Sequence, residues 1–221
     1  MIAVPYVFSA LTGIFACIYA FNRHSDKLSS RLFFKSAASV MFVLVAVSLQ
    51  TGAKEPYFTL ILIGLCFALV GDVFLVFTDR SSSFLAWGMV CFLVTHLLYI
   101  SALFTKAALS VYDAAFFASL MILAASVFSL RGVRFKKVHP AVYVYAAVLC
   151  AMTARSLSML FSPQVSVTFA VFIAMGGVLF LISDVLLAVE SFGGRLAKTV
   201  GVFSSFAYYL SQVLIALSVT L

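Results

Sequence analysis

Charged residues are scarce in this chain of 221 residues: Asp, Glu, Lys and Arg make up 10% of it, against about 25% in an ordinary soluble domain. No polar segment is long enough to fold as a separate soluble domain. With 65% hydrophobic residues and a mean hydropathy of +1.20, the composition points to lipid as the solvent. Cysteine is limited to Cys17, Cys66, Cys91 and Cys150, all in apolar stretches and without C-x-x-C spacing, which favours packing over disulfide or metal chemistry. Histidine is limited to His24 in a loop, His96 inside a span and His139 at a span start. Those depths do not converge. They disfavour a zinc-dependent lipid hydrolase, and no metal or cofactor is implied. The four prolines, Pro5, Pro56, Pro140 and Pro163, all fall at or near span ends, so the paired helix breaks common in transporters are missing.

The apolar stretch Val4–Phe21 has no positively charged region before it and no small-residue cleavage site, so it reads as a retained span and not a signal peptide. A bilayer crossing needs about 20 apolar residues. Eight such spans are predicted: 4–21, 32–50, 57–77, 84–104, 113–130, 139–160, 166–189 and 199–220. The sixth is interrupted by Arg155. The expected fold is therefore an all-α, polytopic membrane protein, a single transmembrane domain over residues 1–221.

Basic residues then orient the spans. The loops after spans one, three, five and seven hold Arg23, Lys27, Arg31, Arg80, Arg131, Arg134, Lys136, Lys137, Arg195 and Lys198, and the opposite loops hold Lys54 and Lys106. Ten against two puts the first set in the cytoplasm and both termini on the other side, with the plasma (inner) membrane as the expected location. The net charge of +7 is thereby explained by topology and headgroup contact, without a nucleic-acid partner.

Two aspartates stand out inside these spans: Asp72 in LVGDVFLVF and Asp184 in LISDVLLAV, 112 residues apart. A carboxylate in hydrocarbon is costly and marks a pair or a function. The same shift aligns Leu69, Val73 and Leu75 with Leu181, Val185 and Leu187, and Gly64 with Gly176. That would give two parallel four-helix repeats. At a rise of ~1.5 Å per residue, each aspartate lies about 8 Å inside the cytoplasmic end of its span and Lys35 about 5 Å. His96, Tyr99 and Gln212 lie nearer the midplane, and Arg155 further out. Blander readings stand beside these: Lys35 can snorkel, Arg155 can anchor backbone carbonyls, His96 can bridge helices, and an Asp–Lys pair can be purely structural. Tyr143, Tyr145, Tyr208 and Tyr209 read as packing or interfacial residues.

The segments GLCFALVGDVFLVF, WGMVCFLVTHLLYI and GGVLFLISDVLLAVESF resemble the YhhN family of integral membrane proteins, which includes the lysoplasmalogenases. The order agrees over nearly the whole chain: a Lys early in span two, Gly-Asp ending span three, H-x-x-Y in span four, Ser-Asp in span seven, and Tyr and Gln in the last span. Lys35 is followed by Ser36 where the pattern would carry a proline. The resemblance implies hydrolysis of the vinyl-ether bond of a lysoplasmalogen, to a fatty aldehyde and glycerophospho-ethanolamine or -choline. The partners implied are a lysophospholipid substrate and the bilayer.

The residues suit that chemistry. A vinyl ether is cleaved by protonating its β-carbon, and water then attacks the oxocarbenium ion, so a local acid and a carboxylate are needed. Two carboxyls in one low-dielectric layer repel when both are ionised and so share a proton; the division of roles between them stays open. Lys35 or Arg155 would hold the phosphate, and His96, Tyr99 and Gln212 would orient water or a glycerol hydroxyl, in a cavity opening to the cytoplasmic leaflet. The alternatives are a small proton-coupled transporter and a lipid-binding membrane protein. The topology is directly testable. Alkaline phosphatase fused after Leu221 in a bacterial host is expected to be active and a green fluorescent fusion there dark; a fluorescent fusion contradicts the orientation.

Overall fold

The computed structural model describes residues 3–23, 25–50, 55–128, 140–192 and 197–221. Lys54, Arg131, Arg134, Lys136, Lys137, Arg195, His24 and His139 lie outside the described residues, as does the side chain of Lys198. Eight helices follow in order: α1 (Val4–Asn22), α2 (Leu28–Ser48), α3 (Pro56–Val76), α4 (Ser82–Lys106), α5 (Val111–Phe128), α6 (Pro140–Ser158), α7 (Val167–Phe192) and α8 (Ala197–Leu217). Short 3-10 turns at Met159–Phe161 and Ser218–Thr220 extend α6 and the chain's last helix. Seven of the described helices are long and apolar enough to cross a membrane, and the apolar part of α5, Val111–Ser126, is shorter. The chain is an integral, multi-pass membrane protein.

Local chemistry sets the helix ends. Pro5, Pro56 and Pro140 sit in the first turns of α1, α3 and α6, where the missing N–H would have had no intrahelical partner. Ser81 caps α4 by accepting from the Ser83 N–H at 3.3 Å. Within the spans, hydroxyls such as Ser9, Thr12 and Ser101 donate to the carbonyl four residues earlier. Polar side chains are thereby satisfied inside their own helix, as a lipid environment demands. Arg155 does not break α6; the helix runs through it to Ser158.

Lipid offers little hydrophobic drive between helices, so close backbone approach and hydrogen bonds must hold the bundle. Gly64 and Gly176 do this in parallel fashion. A Cβ on Gly64 would stand 2.5 Å from Tyr99 Cε1 in α4, and one on Gly176 would stand 2.8 Å from Ile215 Cγ1 in α8. Each glycine's carbonyl accepts a hydroxyl from that same neighbour: Thr95 Oγ1 to Gly64 at 3.1 Å, and Ser211 Oγ to Gly176 at 2.7 Å. The helix neighbours repeat too. The pairs α1–α2, α2–α3, α3–α4 and α2–α8 have their counterparts in α5–α6, α6–α7, α7–α8 and α6–α4. The departure from this pattern is that α1 closes on α8, whereas α5 packs mainly on α6.

At the end of the bundle away from the α1–α2 and α3–α4 loops, Arg155 ties α4, α5 and α6 together. Its guanidinium donates to the Leu103 and Ala108 carbonyls at 3.1 Å, to the Ala107 carbonyl, and to both carboxylate oxygens of Asp113 at 3.1 Å. Ser158 Oγ donates to the same carboxylate at 2.6 Å, and the guanidinium lies 4.5 Å from the centre of the Phe104 ring. Removing one member of a buried pair leaves the other charge uncompensated, which costs about 3–5 kcal/mol. Asp113→Ala is therefore expected to lower the unfolding temperature of the detergent-solubilised protein substantially. An unchanged melting curve would show that the pair does not hold the fold.

Candidate active site

Asp72 lies one turn before the end of α3 and is 1% exposed. Three groups supply its surroundings. Lys35 and Ser39 stand one turn apart on α2 and so share a face. Lys35 Nζ is 3.3 Å from Asp72 Oδ1, and Ser39 Oγ donates to Asp72 Oδ2 at 2.6 Å. From α8, the Tyr208 hydroxyl donates to the same Oδ2 at 2.7 Å. One carboxylate thus faces an ammonium and two hydroxyl donors, all drawn from helices other than its own. Lys35 also lies 5.3 Å from the centre of the Tyr19 ring of α1.

Asp184 in α7 has a different setting. The Tyr145 hydroxyl of α6 donates to its Oδ2. His96 Nε2 of α4 lies 3.3 Å from that hydroxyl and 3.9 Å from the carboxylate oxygen. With the tyrosine proton directed at Asp184, the His96 Nε2–H is the donor to the tyrosine oxygen, and Nδ1 is left as a bare acceptor. His96 Nδ1 is buried and has no partner among the described residues. No hydrogen bond from a described residue reaches Asp184 Oδ1, and the side chain is 12% exposed.

A turn further from the α1–α2 end, the Tyr99 hydroxyl of α4 donates to Gln212 Oε1 of α8 at 2.8 Å. Gln212 Nε2 is buried without a partner among the described residues. Phe180 of α7 packs edge-on against both His96 and Tyr208, its ring centre 4.5 Å from the first and 5.6 Å from the second.

The two aspartates border a common space. A cavity of about 490 Å³ opens at the end of the bundle that carries the α1–α2 and α3–α4 loops, lined in part by Tyr19, Arg23, Arg31, Lys35 and Glu190. It continues past Tyr19, Arg23 and Lys35 into a throat of about 40 Å³ bordered by Asp72, Asp184, Ser183 and Tyr208. Such a space offers a wide polar mouth, then two carboxyls where little water fits. Low dielectric there strengthens any electrostatic effect on a reacting group. Among the described residues no three His, Cys, Asp or Glu side chains gather as metal ligands.

Of the residues singled out from the sequence, Lys35, Asp72 and Asp184 meet at the throat, with His96 beside Asp184. Tyr99 and Gln212 form their own pair, and Arg155 is held at the far end with Asp113. Tyr145 and Tyr208, read as packing residues, are instead the direct hydrogen-bond donors to the two carboxyls. Ser39 and the mouth residues Arg23, Arg31 and Glu190 were not expected there at all. One signal was present: Tyr208 stands 112 residues after His96, the same interval that separates the aspartates.

The model of the YhhN family matches residues 30–219 of this chain. The lysoplasmalogenase TMEM86A of Bos taurus is 30% identical over 184 residues, covering 79% of this chain and 71% of that protein. No solved structure matches the chain.

Proposed function

The chain belongs to the YhhN family, and from that premise we propose that it is a membrane-embedded hydrolase that cleaves the vinyl-ether bond of lysoplasmalogens. The observation that carries this reading is that Asp72 and Asp184 border one narrow throat inside the bundle. The bovine relative's name supplies the substrate class. A lysolipid keeps its headgroup at the interface and its ether linkage just beneath. The polar mouth and the carboxyl throat follow that order, with the mouth at the end carrying the α1–α2 and α3–α4 loops.

The surroundings of the two carboxyls support a division of roles. Lys35, Ser39 and Tyr208 all offer positive charge or protons to Asp72, an arrangement that the ionised carboxylate satisfies. Asp184 receives one hydroxyl and, among the described residues, no hydrogen bond at its other oxygen. In this mechanism Asp184 donates its proton to the β-carbon of the vinyl ether, leaving an oxocarbenium ion at the adjacent carbon. Asp72 stabilises the cation and takes a proton from the attacking water. The resulting hemiacetal loses its hydroxyl proton as its bond to the glycerol oxygen breaks. That oxygen takes up a proton, and the fatty aldehyde and glycerophospho product separate. One water is consumed, and the proton gained by Asp72 passes back to Asp184 to restore the starting state. His96 Nδ1 and Gln212 Nε2, both without partners among the described residues, suit the water and the free glycerol hydroxyl.

Positioned acid–base groups contribute roughly 10²–10⁴-fold. Asp72→Asn and Asp184→Asn are each expected to lower aldehyde release from purified, folded protein by at least about a hundredfold. Wild-type rates in both variants would rule out the carboxyl mechanism. A wild-type protein that releases no aldehyde from ethanolamine or choline vinyl-ether lysolipids would rule out the substrate.

A further inference from the structure

In a chain so poor in charge, three of the seven acidic residues, Asp26, Asp79 and Glu190, line the cavity mouth together with Arg23, Arg31 and Lys35. Topology alone asks for basic residues in these loops; it does not ask for carboxylates interleaved with them around one concave space. Its volume of about 490 Å³ falls within the ~300–1,000 Å³ usual for small-molecule sites.

The cations differ in how far they are already engaged. Lys35 is committed to Asp72 at 3.3 Å. Arg23 is held by Glu190 at 2.6 Å, by the Gly201 carbonyl and by Ser205 Oγ at 3.3 Å. Arg31 uses Nη1 for Asp79 at 2.5 Å and for the Arg23 carbonyl at 3.5 Å. Its Nε is buried and has no acceptor among the described residues. A guanidinium N–H that is out of water and has no acceptor among the described residues is costly, so an acceptor brought by a ligand would be favoured at this spot. Phosphate oxygens match the guanidinium fork in both charge and geometry. Asp79, by contrast, is 68% exposed at the side chain, and Asp26 shares the rim with it. These two carboxylates are placed to meet a cation coming from water.

We infer that the mouth is a subsite for the phosphodiester of a zwitterionic head group, with Arg31 holding the phosphate and Asp79 and Asp26 facing the ammonium. The inference rests on reading the throat as a lysolipid hydrolase site, and it names the residues that recognise the polar end of the substrate. It also moves the phosphate from Lys35, which serves Asp72, to an arginine one turn nearer the loop.

Binding can be measured apart from catalysis. Purified protein in detergent would be titrated with an ester-linked lysophosphatidylethanolamine, which has no vinyl ether to cleave, with lysophosphatidic acid, with glycerophosphoethanolamine and with inorganic phosphate. The wild type is expected to bind the ethanolamine lysolipid more tightly than the other three. Arg31→Gln should weaken that binding by roughly tenfold or more, and Arg31→Lys should restore only part of it. Asp79→Asn should weaken the ethanolamine lysolipid while leaving lysophosphatidic acid unchanged, an arm that holds even if Arg31→Gln fails to fold. Unaltered affinity in folded Arg31→Gln, or equal wild-type affinity for the two lysolipids, would overturn the subsite. Inorganic phosphate binding as tightly as the lysolipid would overturn it in favour of a free-phosphate site. Aldehyde release decides the proposed reaction separately: a protein that binds through Arg31 yet cleaves no vinyl ether would keep this subsite and lose that reaction.

Discussion

A carboxylate held among membrane-spanning helices must find its donors in the protein, because lipid supplies none. Asp72 draws them from α2 and α8; Asp184 draws one from α6, the Tyr145 hydroxyl, which His96 of α4 approaches in turn. In both cases the polar neighbours come from the second helix of the aspartate's own half and the fourth helix of the other half. The α2–α8 and α4–α6 contacts, two of those that join the halves, lie beside these side chains. Close packing at Gly64 and Gly176 brings the fourth helix of each half near enough to take part. The bundle's architecture and its buried carboxyls thus depend on each other.

The two halves share a frame but not a chemistry. Corresponding positions hold Tyr208 against Asp72 and His96 near Asp184, 112 residues apart like the aspartates themselves. The first carboxyl also receives an ammonium and a second hydroxyl, whereas the second, among the described residues, is bonded at one oxygen by a tyrosine shared with histidine. The similar LVGDV and LISDV segments therefore lie in unlike settings, and that asymmetry is what an acid–base pair requires. The charged mouth adds a third level, where a headgroup can be held while the ether linkage descends to the throat.

Much of this was legible in the sequence. Helix ends fell within a few residues of the spans read from hydropathy, because length and apolarity are local properties, and α5 proved the short one. A shared layer for Asp72, Asp184 and Lys35 was read by counting residues along helices. Depth, however, says nothing about which helices are neighbours. The count did place Arg155 further out, and anchoring of backbone carbonyls was one of its readings, but its partner Asp113 on α5 was not legible from depth. Tyr145 and Tyr208 looked like packing because aromatic residues abound in spans, and only tertiary contact turns their hydroxyls toward carboxyls. Arg23 and Arg31 carried an obvious topological meaning, which hid the cavity they line.

In the proposed reaction this throat delivers a proton to carbon. The most direct measurement is turnover of a lysoplasmalogen in D₂O, with the aldehyde trapped at once by reduction to the alcohol and examined by mass spectrometry. Protonation of the vinyl-ether β-carbon predicts one solvent deuterium at C2 of the alcohol. An alcohol formed by the protein with no deuterium at C2 would contradict the account.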